Sequence, residues 1–264
     1  MVKTQHFIQY LQYSENRGES LKGQIVVETP VTLTVNGNAW LSFMCTPLQL
    51  EALALGFLFN EGLIQCMDEV ANVSICEHGD NIDVWLHHNV VQPVSWRRTS
   101  GCTGGITAVG IEVGSSTTIS NKCFFLTPEN IYHLIGLLFE SQEMYKETGG
   151  IHTSALSDGE KILAVSEDIG RHNTLDKIAG LCLISDIWPK PRIVLTTGRI
   201  SSEMLQKTAR IGAPVIISRT SPSSLSVQMA DQMGIMLIGY ARSNQFSIYT
   251  HPEQIKIEAV VKSS

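Results

Sequence analysis

The sequence predicts a two-part α/β protein: a smaller β-rich α+β domain over residues 1–126, then an α/β domain over residues 127–264. Three observations carry that reading. The first 125 or so residues alternate short β-like runs with turns. A strong helix start at Thr127-Pro128-Glu129-Asn130 marks a change of character. Beyond it, three fully apolar runs at 192–196, 214–218 and 235–239 are separated by helical stretches, which implies parallel strands covered on both faces.

Each element has a local cause. Segments 24–28, 31–35 and 39–43 are rich in β-branched and aromatic residues, and Asn36-Gly37 between the last two is a hairpin signal. One helix interrupts these strands. Thr46 is a good N-cap, Pro47 suits the first helical position, Gln49 completes a capping box, and Ala52, Leu55 and Phe59 form the apolar stripe before Glu61-Gly62 ends it. The helix after Thr127 presents Ile131, Leu134, Ile135 and Leu138, and its pattern runs to Gly149-Gly150. Residues 153–156 and 161–165 flank Asp158-Gly159 as a hairpin, and later helices begin near Ile200 and Pro222.

Composition narrows the function. A chain of 264 residues, 43% hydrophobic and 17% charged, can bury a substantial core. Its net charge of -6 argues against a nucleic-acid partner held by overall field, so any anion site must be local. No run approaches the roughly 20 apolar residues of a membrane span, and polar residues follow the N-terminal Met1-Val2-Lys3, so no membrane and a cytoplasmic location are expected. Six cysteines at positions 45, 66, 76, 102, 123 and 182 include no C-x-x-C pair and no zinc-like Cys/His cluster, so no metal is expected. Five of them read as small buried apolar side chains.

The arginines carry more information. Glu167-Asp168-Ile169-Gly170-Arg171-His172-Asn173, Thr197-Gly198-Arg199 and Ser218-Arg219-Thr220-Ser221 each follow a strand and precede a helix. In an open α/β sheet such turns lie on one edge, where helix N-termini present free N–H groups. Each helix terminus favours an anion by roughly 0.3–1 kcal/mol, and a hydrogen bond to a charged group contributes about 1.5–3 kcal/mol. Several together outweigh a modest negative net charge. Taken singly, each arginine reads equally as a surface residue or as a partner for Asp168, Glu167 or Glu203. The G-x-x-x-x-G-K spacing of a P-loop is absent.

Cys102 stands apart from the other cysteines. Its surroundings, Ser100-Gly101-Cys102-Thr103-Gly104-Gly105, describe an exposed loop, and Arg97 and Arg98 are cations able to lower a thiol pKa. An inert loop cysteine is the alternative. His152, after Gly149-Gly150-Ile151, suits either a general acid/base near neutral pH or a structural histidine, and His172 has the same two readings. Asp176 and Lys177 read as a solvent-exposed pair.

Together these segments resemble a family. Ser100-Gly101-Cys102, Gly149-Gly150-Ile151-His152, the block from Glu167 to Asn173 with Asp176-Lys177, Thr197-Gly198-Arg199 through Ser202-Glu203-Met204, Ser218-Arg219-Thr220-Ser221-Pro222 and Ile248-Tyr249-Thr250 look like the FdhD-type formate dehydrogenase accessory sulfurtransferases. The resemblance implies a cytidine-deaminase-like three-layer α/β domain and a homodimer. It further implies a protein that takes persulfide sulfur from a cysteine desulfurase and passes it to the molybdenum (or tungsten) bis-guanine-dinucleotide cofactor of formate dehydrogenase. Cys102 matches the family's persulfide-bearing cysteine, and Tyr240, Ala241, Arg242, Ser243, Asn244 and Gln245 match its cofactor-binding segment.

One departure matters: where family members often carry C-x-x-C, this chain has Gly105 in place of the second cysteine. A resolving disulfide within the loop is thereby ruled out. The H-x-E and P-C-x-x-C pattern of zinc deaminases is also missing. The expected mechanism has Cys102 carry the sulfur while Arg171, His172, Gly198, Arg199, Ser218, Arg219 and Arg242 hold the cofactor. Two rivals are a non-catalytic cofactor-binding chaperone and a guanine-nucleotide-binding regulator.

Overall fold

A computed structural model describes residues 3–93, 96–98, 106–108 and 125–256. In chain order, β1 (Gln5–Ser14) and β2 (Arg17–Val26) pair antiparallel over their whole length. They are followed by β3 (Thr29–Val35), β4 (Asn38–Cys45), α1 (Leu50–Asn60), β5 (Val70–Ile75) and β6 (Asn81–Leu86). The short strands β7 (Trp96–Arg98) and β8 (Ile106–Ala108) pair antiparallel. Then come α2 (Pro128–Glu140), α3 (Met144–Thr148), β9 (His152–Ser157), β10 (Ile162–Asp168) and α4 (Arg171–Ser185). The chain continues through β11 (Ile193–Thr196), α5 (Ser202–Ile211), β12 (Val215–Ser218), α6 (Ser224–Met233), β13 (Met236–Gly239) and β14 (Ser247–Ile248).

The chain divides into two compact units, and the division is not a single cut. Unit 1 holds Met1–Ile111, Ser141–Ser154 and Val165–Ile187; unit 2 holds Glu112–Glu140, Ala155–Ala164 and Trp188–Ser264. The boundary expected between residues 126 and 127 therefore gives way to an interleaved partition. Its cause lies in unit 1, where α1 and α4 pack at backbone contact. A Cβ on Gly56 would stand 1.7 Å from the Asp176 carbonyl oxygen, and one on Gly180 would stand 1.9 Å from that of Ala52. Only glycine permits this approach, and it draws α4 into the same unit as the N-terminal strands.

Within unit 1 a four-stranded sheet has the order β4-β3-β6-β5. Its β3–β4 hairpin turns at Asn36 and Gly37, both with positive φ, as the sequence predicts. α1 differs from its expectation. Nine of its eleven residues are buried, so it is apolar all round and not striped. Thr46 is not its cap: the helix begins at Leu50, with Gln49 in the left-handed region and no side-chain cap. Tertiary contacts claim these residues instead. The Thr46 N–H donates to Asp168 and its hydroxyl accepts from the Ile169 N–H, while the Gln49 amide donates to the Val165 carbonyl.

In unit 2 the Thr127 hydroxyl accepts from the Asn130 N–H, starting α2 where expected. The single helix expected to reach Gly149-Gly150 is two helices, because α2 stops at Glu140 and α3 restarts at Met144. The sheet has the order β10-β9-β11-β12-β13-β14, and the tip of the β9–β10 hairpin, residues 155–164, lies in unit 2. Strands β11, β12 and β13 run parallel and are fully buried, which bears out the reading of their unbroken apolar runs. Ser201 and Ser223 cap α5 and α6, each accepting from the N–H three residues on. Among the described residues no helix is long and apolar enough to cross a membrane.

Candidate functional site

The turns after β11, β12 and β13 of unit 2 are laced into one structure by short hydroxyl side chains and carbonyls. The Thr196 hydroxyl accepts from the Gly198 N–H at 3.1 Å, and the Thr196 carbonyl accepts from the Arg219 N–H at 3.2 Å. Buried Ser218 donates its hydroxyl to the Gly198 carbonyl at 2.7 Å and accepts from the Thr220 N–H at 3.0 Å. Serine and threonine after a strand favour such local bonds, which bend the chain out of the sheet. The third turn is tied in by Tyr240 N–H donating to the Thr220 carbonyl and Ala241 N–H donating to that of Ser218, both at 3.0 Å. Arg242 donates through its guanidinium to the Arg219 carbonyl.

The turns thus bring Gly198, Arg199, Ser218, Arg219 and the 240–245 segment together at the carboxyl edge of the parallel strands. Arg199 is exposed, and Ser243, Asn244 and Gln245 are exposed beyond half-buried Arg242. Tyr240 is 45% exposed and sits at φ 51, a conformation a non-glycine residue seldom adopts. The Arg219 guanidinium lies over the Phe139 ring, 4.2 Å from its centroid. Residues 197–199, 219–222 and 240–245 contain three arginines, several hydroxyls and amides and no carboxylate, a donor set suited to an anion.

The turn between β10 and α4, in unit 1, is of another kind. Asp168 and Lys177 are fully buried and paired at 2.6 Å. Asp168 also accepts from the N–H groups of Thr46 and Gly170 and from the Asn173 amide, at 2.8–3.2 Å. The Lys177 ammonium donates further to the carbonyls of Thr46 at 3.1 Å and Glu167 at 3.2 Å, so all three of its protons are engaged. The Glu167 carboxylate accepts from the N–H groups of Glu143, Met144 and Tyr145. That interaction starts α3 and explains the break in the expected helix.

The expectation of a solvent-exposed Asp176-Lys177 pair is therefore corrected. Lys177 pairs with the aspartate nine residues earlier, and Asp176, also buried, accepts from the Asn60 amide at 2.8 Å. Arg171 and His172, expected to hold the cofactor, are 3% and 1% exposed. His152 is half-buried in β9. Next to the ion pair, burial and then the Asp168 charge push the Cys45 thiol up to about 12, against the opposing pull of Lys177.

Cys102 and its neighbours at 99–105 lie outside the described residues, as does Cys123. Cys45 and Cys182 are buried as expected, whereas Cys66 and Cys76 are exposed. Cys76 donates to Asp80 at 2.8 Å and holds that carboxyl below its usual range. Sequence reasoning missed Phe139 and the Asp168–Lys177 pair. The former left no signal beyond an apolar position late in a helix; the latter left an acidic pair before a glycine turn and one lysine in the helix that follows.

Among the described residues these observations define a mixed α/β protein with several sheets and six α-helices, whose parallel strands end in an open, cationic, hydroxyl-rich set of turns. Residues 26–256 match the FdhD/NarQ family, and the chain belongs to that family. A protein named sulfur carrier protein FdhD from Bacillus subtilis (strain 168) is 34% identical over 248 residues, covering 92% of this chain and 95% of the relative. One of the same name from Staphylococcus aureus (strain MRSA252) is 35% identical over 249 residues, covering 93% and 94%. The crystal structure of a chain described as a formate dehydrogenase accessory protein, from Desulfotalea psychrophila, superposes with a TM-score of 0.80 at 27% identity. It covers 96% of this chain and 100% of the other.

Proposed function

We propose that this protein is a sulfur carrier in the maturation of formate dehydrogenase, with Cys102 as the sulfur-bearing residue. Two things support the reading: relatives named sulfur carrier protein FdhD match nearly the whole chain, and the turns of unit 2 offer a cationic donor set. The Cys102 thiolate attacks the terminal sulfur of a cysteine desulfurase persulfide. A new S–S bond forms at Cys102, the old one breaks, and the desulfurase leaves as its thiolate. The recipient is the molybdenum (or tungsten) bis-guanine-dinucleotide cofactor, written here as substrate. Arg199, Arg219 and Arg242 would meet its phosphates, and the 240–245 segment its nucleotide end. A cytoplasmic homodimer with a three-layer cytidine-deaminase-like domain belongs to the same reading, as does an acid/base role for His152.

Intact-mass measurement after incubation with a cysteine desulfurase and cysteine tests the carrier step. A gain of one sulfur, reversed by reductant and absent in Cys102→Ala, is the expected result. Failure of the native chain to gain sulfur from an active desulfurase removes the reading. If Cys102→Ala matures formate dehydrogenase as well as the native chain does, a cofactor-binding chaperone takes its place.

A further inference from the structure

We infer that Gly136 is the floor of a slot on α2 that receives the purine base of a nucleotide whose phosphates the unit 2 turns hold. The inference rests on the reading of those turns as an anion site and adds to it a place for the base. Three glycines stand inside helices among the described residues: Gly56, Gly136 and Gly180. Gly56 and Gly180 are needed where α1 and α4 meet at backbone contact. Gly136 is exposed, and a Cβ placed on it would meet no described neighbour within 4 Å. Glycine weakens a helix interior, so packing among the described residues gives no reason for it at this position. What a missing side chain does allow is the close approach of a flat ligand to the helix backbone.

Aromatic residues flank the position. Tyr132, Gly136 and Phe139 follow the i, i+4, i+7 spacing of one helix face, and seven residues of helix set the two aromatic positions about 10 Å apart along the axis. The Tyr132 ring meets that of Phe246, with centroids 5.6 Å apart, and the Phe139 ring lies 4.2 Å from the Arg219 guanidinium. Phe246 directly follows the 240–245 segment, and Arg219 belongs to the turn after β12. Gly136 therefore lies on the stretch of α2 between two contacts with the same set of turns. Cationic turns beside aromatic rings and a bare length of helix match a ligand that is anionic at one end and flat and aromatic at the other, as a purine nucleotide is.

Guanosine diphosphate and inorganic pyrophosphate are the probes, titrated against the native chain, Gly136→Ala and Gly136→Leu, with unfolding midpoints recorded for each. The native chain is expected to bind guanosine diphosphate about tenfold more tightly than pyrophosphate. Gly136→Ala should raise the unfolding midpoint by about 2 °C, since alanine is the better helix former and meets open space, yet weaken guanosine diphosphate binding about threefold. Gly136→Leu, a larger plug at the same exposed position, should weaken that binding about tenfold, with pyrophosphate binding unchanged in both variants. A purely structural glycine would move stability and leave the nucleotide alone. Native guanosine diphosphate affinity in Gly136→Leu, or a pyrophosphate affinity that falls in step with it, overturns the inference, as does equal affinity of the native chain for the two probes. Absence of pyrophosphate binding by the native chain overturns the anion-site reading and the inference with it.

Discussion

The turn that joins β10 to α4 and the turns that follow β11 and β12 have similar vocabularies, each placing an arginine and small or polar residues between a strand and a helix. Their environments are opposite. In the first, the carboxylates of Glu167 and Asp168 are spent on backbone N–H groups and on Lys177, and Arg171 and His172 are covered. In the others, side-chain hydroxyls and carbonyls satisfy the backbone, which leaves Arg199 exposed and Arg219 stacked on a ring. What separates the closed turn from the open ones is therefore the presence of internal acids: carboxylates within the first turn consume its donors, and where the turn holds none Arg199 stays exposed.

Removing the internal cation breaks this contrast hardest. Lys177→Met strands the buried Asp168 carboxylate and should cost about 3–5 kcal/mol of stability, read from denaturant midpoints. If the loss is under about 1 kcal/mol, the buried pair is not what holds this turn together.

Alkaline titration sharpens the same point. The Cys45 thiol has its folded value raised from 9.0 to about 12, so its contribution to stability is complete below pH 9 and is lost as pH climbs toward 12. Unfolding free energy should fall across that window, and Cys45→Ala should flatten the slope. An unchanged slope in the variant places the alkaline loss elsewhere.

Smaller effects are expected on the open side. Ser201→Ala removes the cap of α5 and should lower stability by about 1 kcal/mol. Arg199→Ala, at an exposed position, should change stability by no more than about 0.5 kcal/mol while weakening guanosine diphosphate binding. A destabilisation of Arg199→Ala comparable to that of Lys177→Met would erase the distinction between the two kinds of turn.

Much of the fold was legible from local chemistry. The runs 192–196, 214–218 and 235–239 contain the buried parallel strands β11, β12 and β13, and the Asn36-Gly37 turn is where the sequence places it. The start of α1 was not. Thr46 is a good cap by residue type, but its N–H and hydroxyl are drawn to Asp168 and Ile169, more than 120 residues away along the chain. The α2–α3 break was equally hidden, because the Glu167 carboxylate that starts α3 arrives from the end of a later strand.

Sequence alone determined which segments form strands and helices, which residues carry cations after the strands, and which family the chain resembles, because periodicity, turn chemistry and motif spacing are local properties. Tertiary structure decided which polar groups are spent internally. Whether an arginine, a lysine or a threonine is free for chemistry depends on what distant segments bring against it, and burial makes an unmet donor or an unpaired charge too costly to leave without a partner.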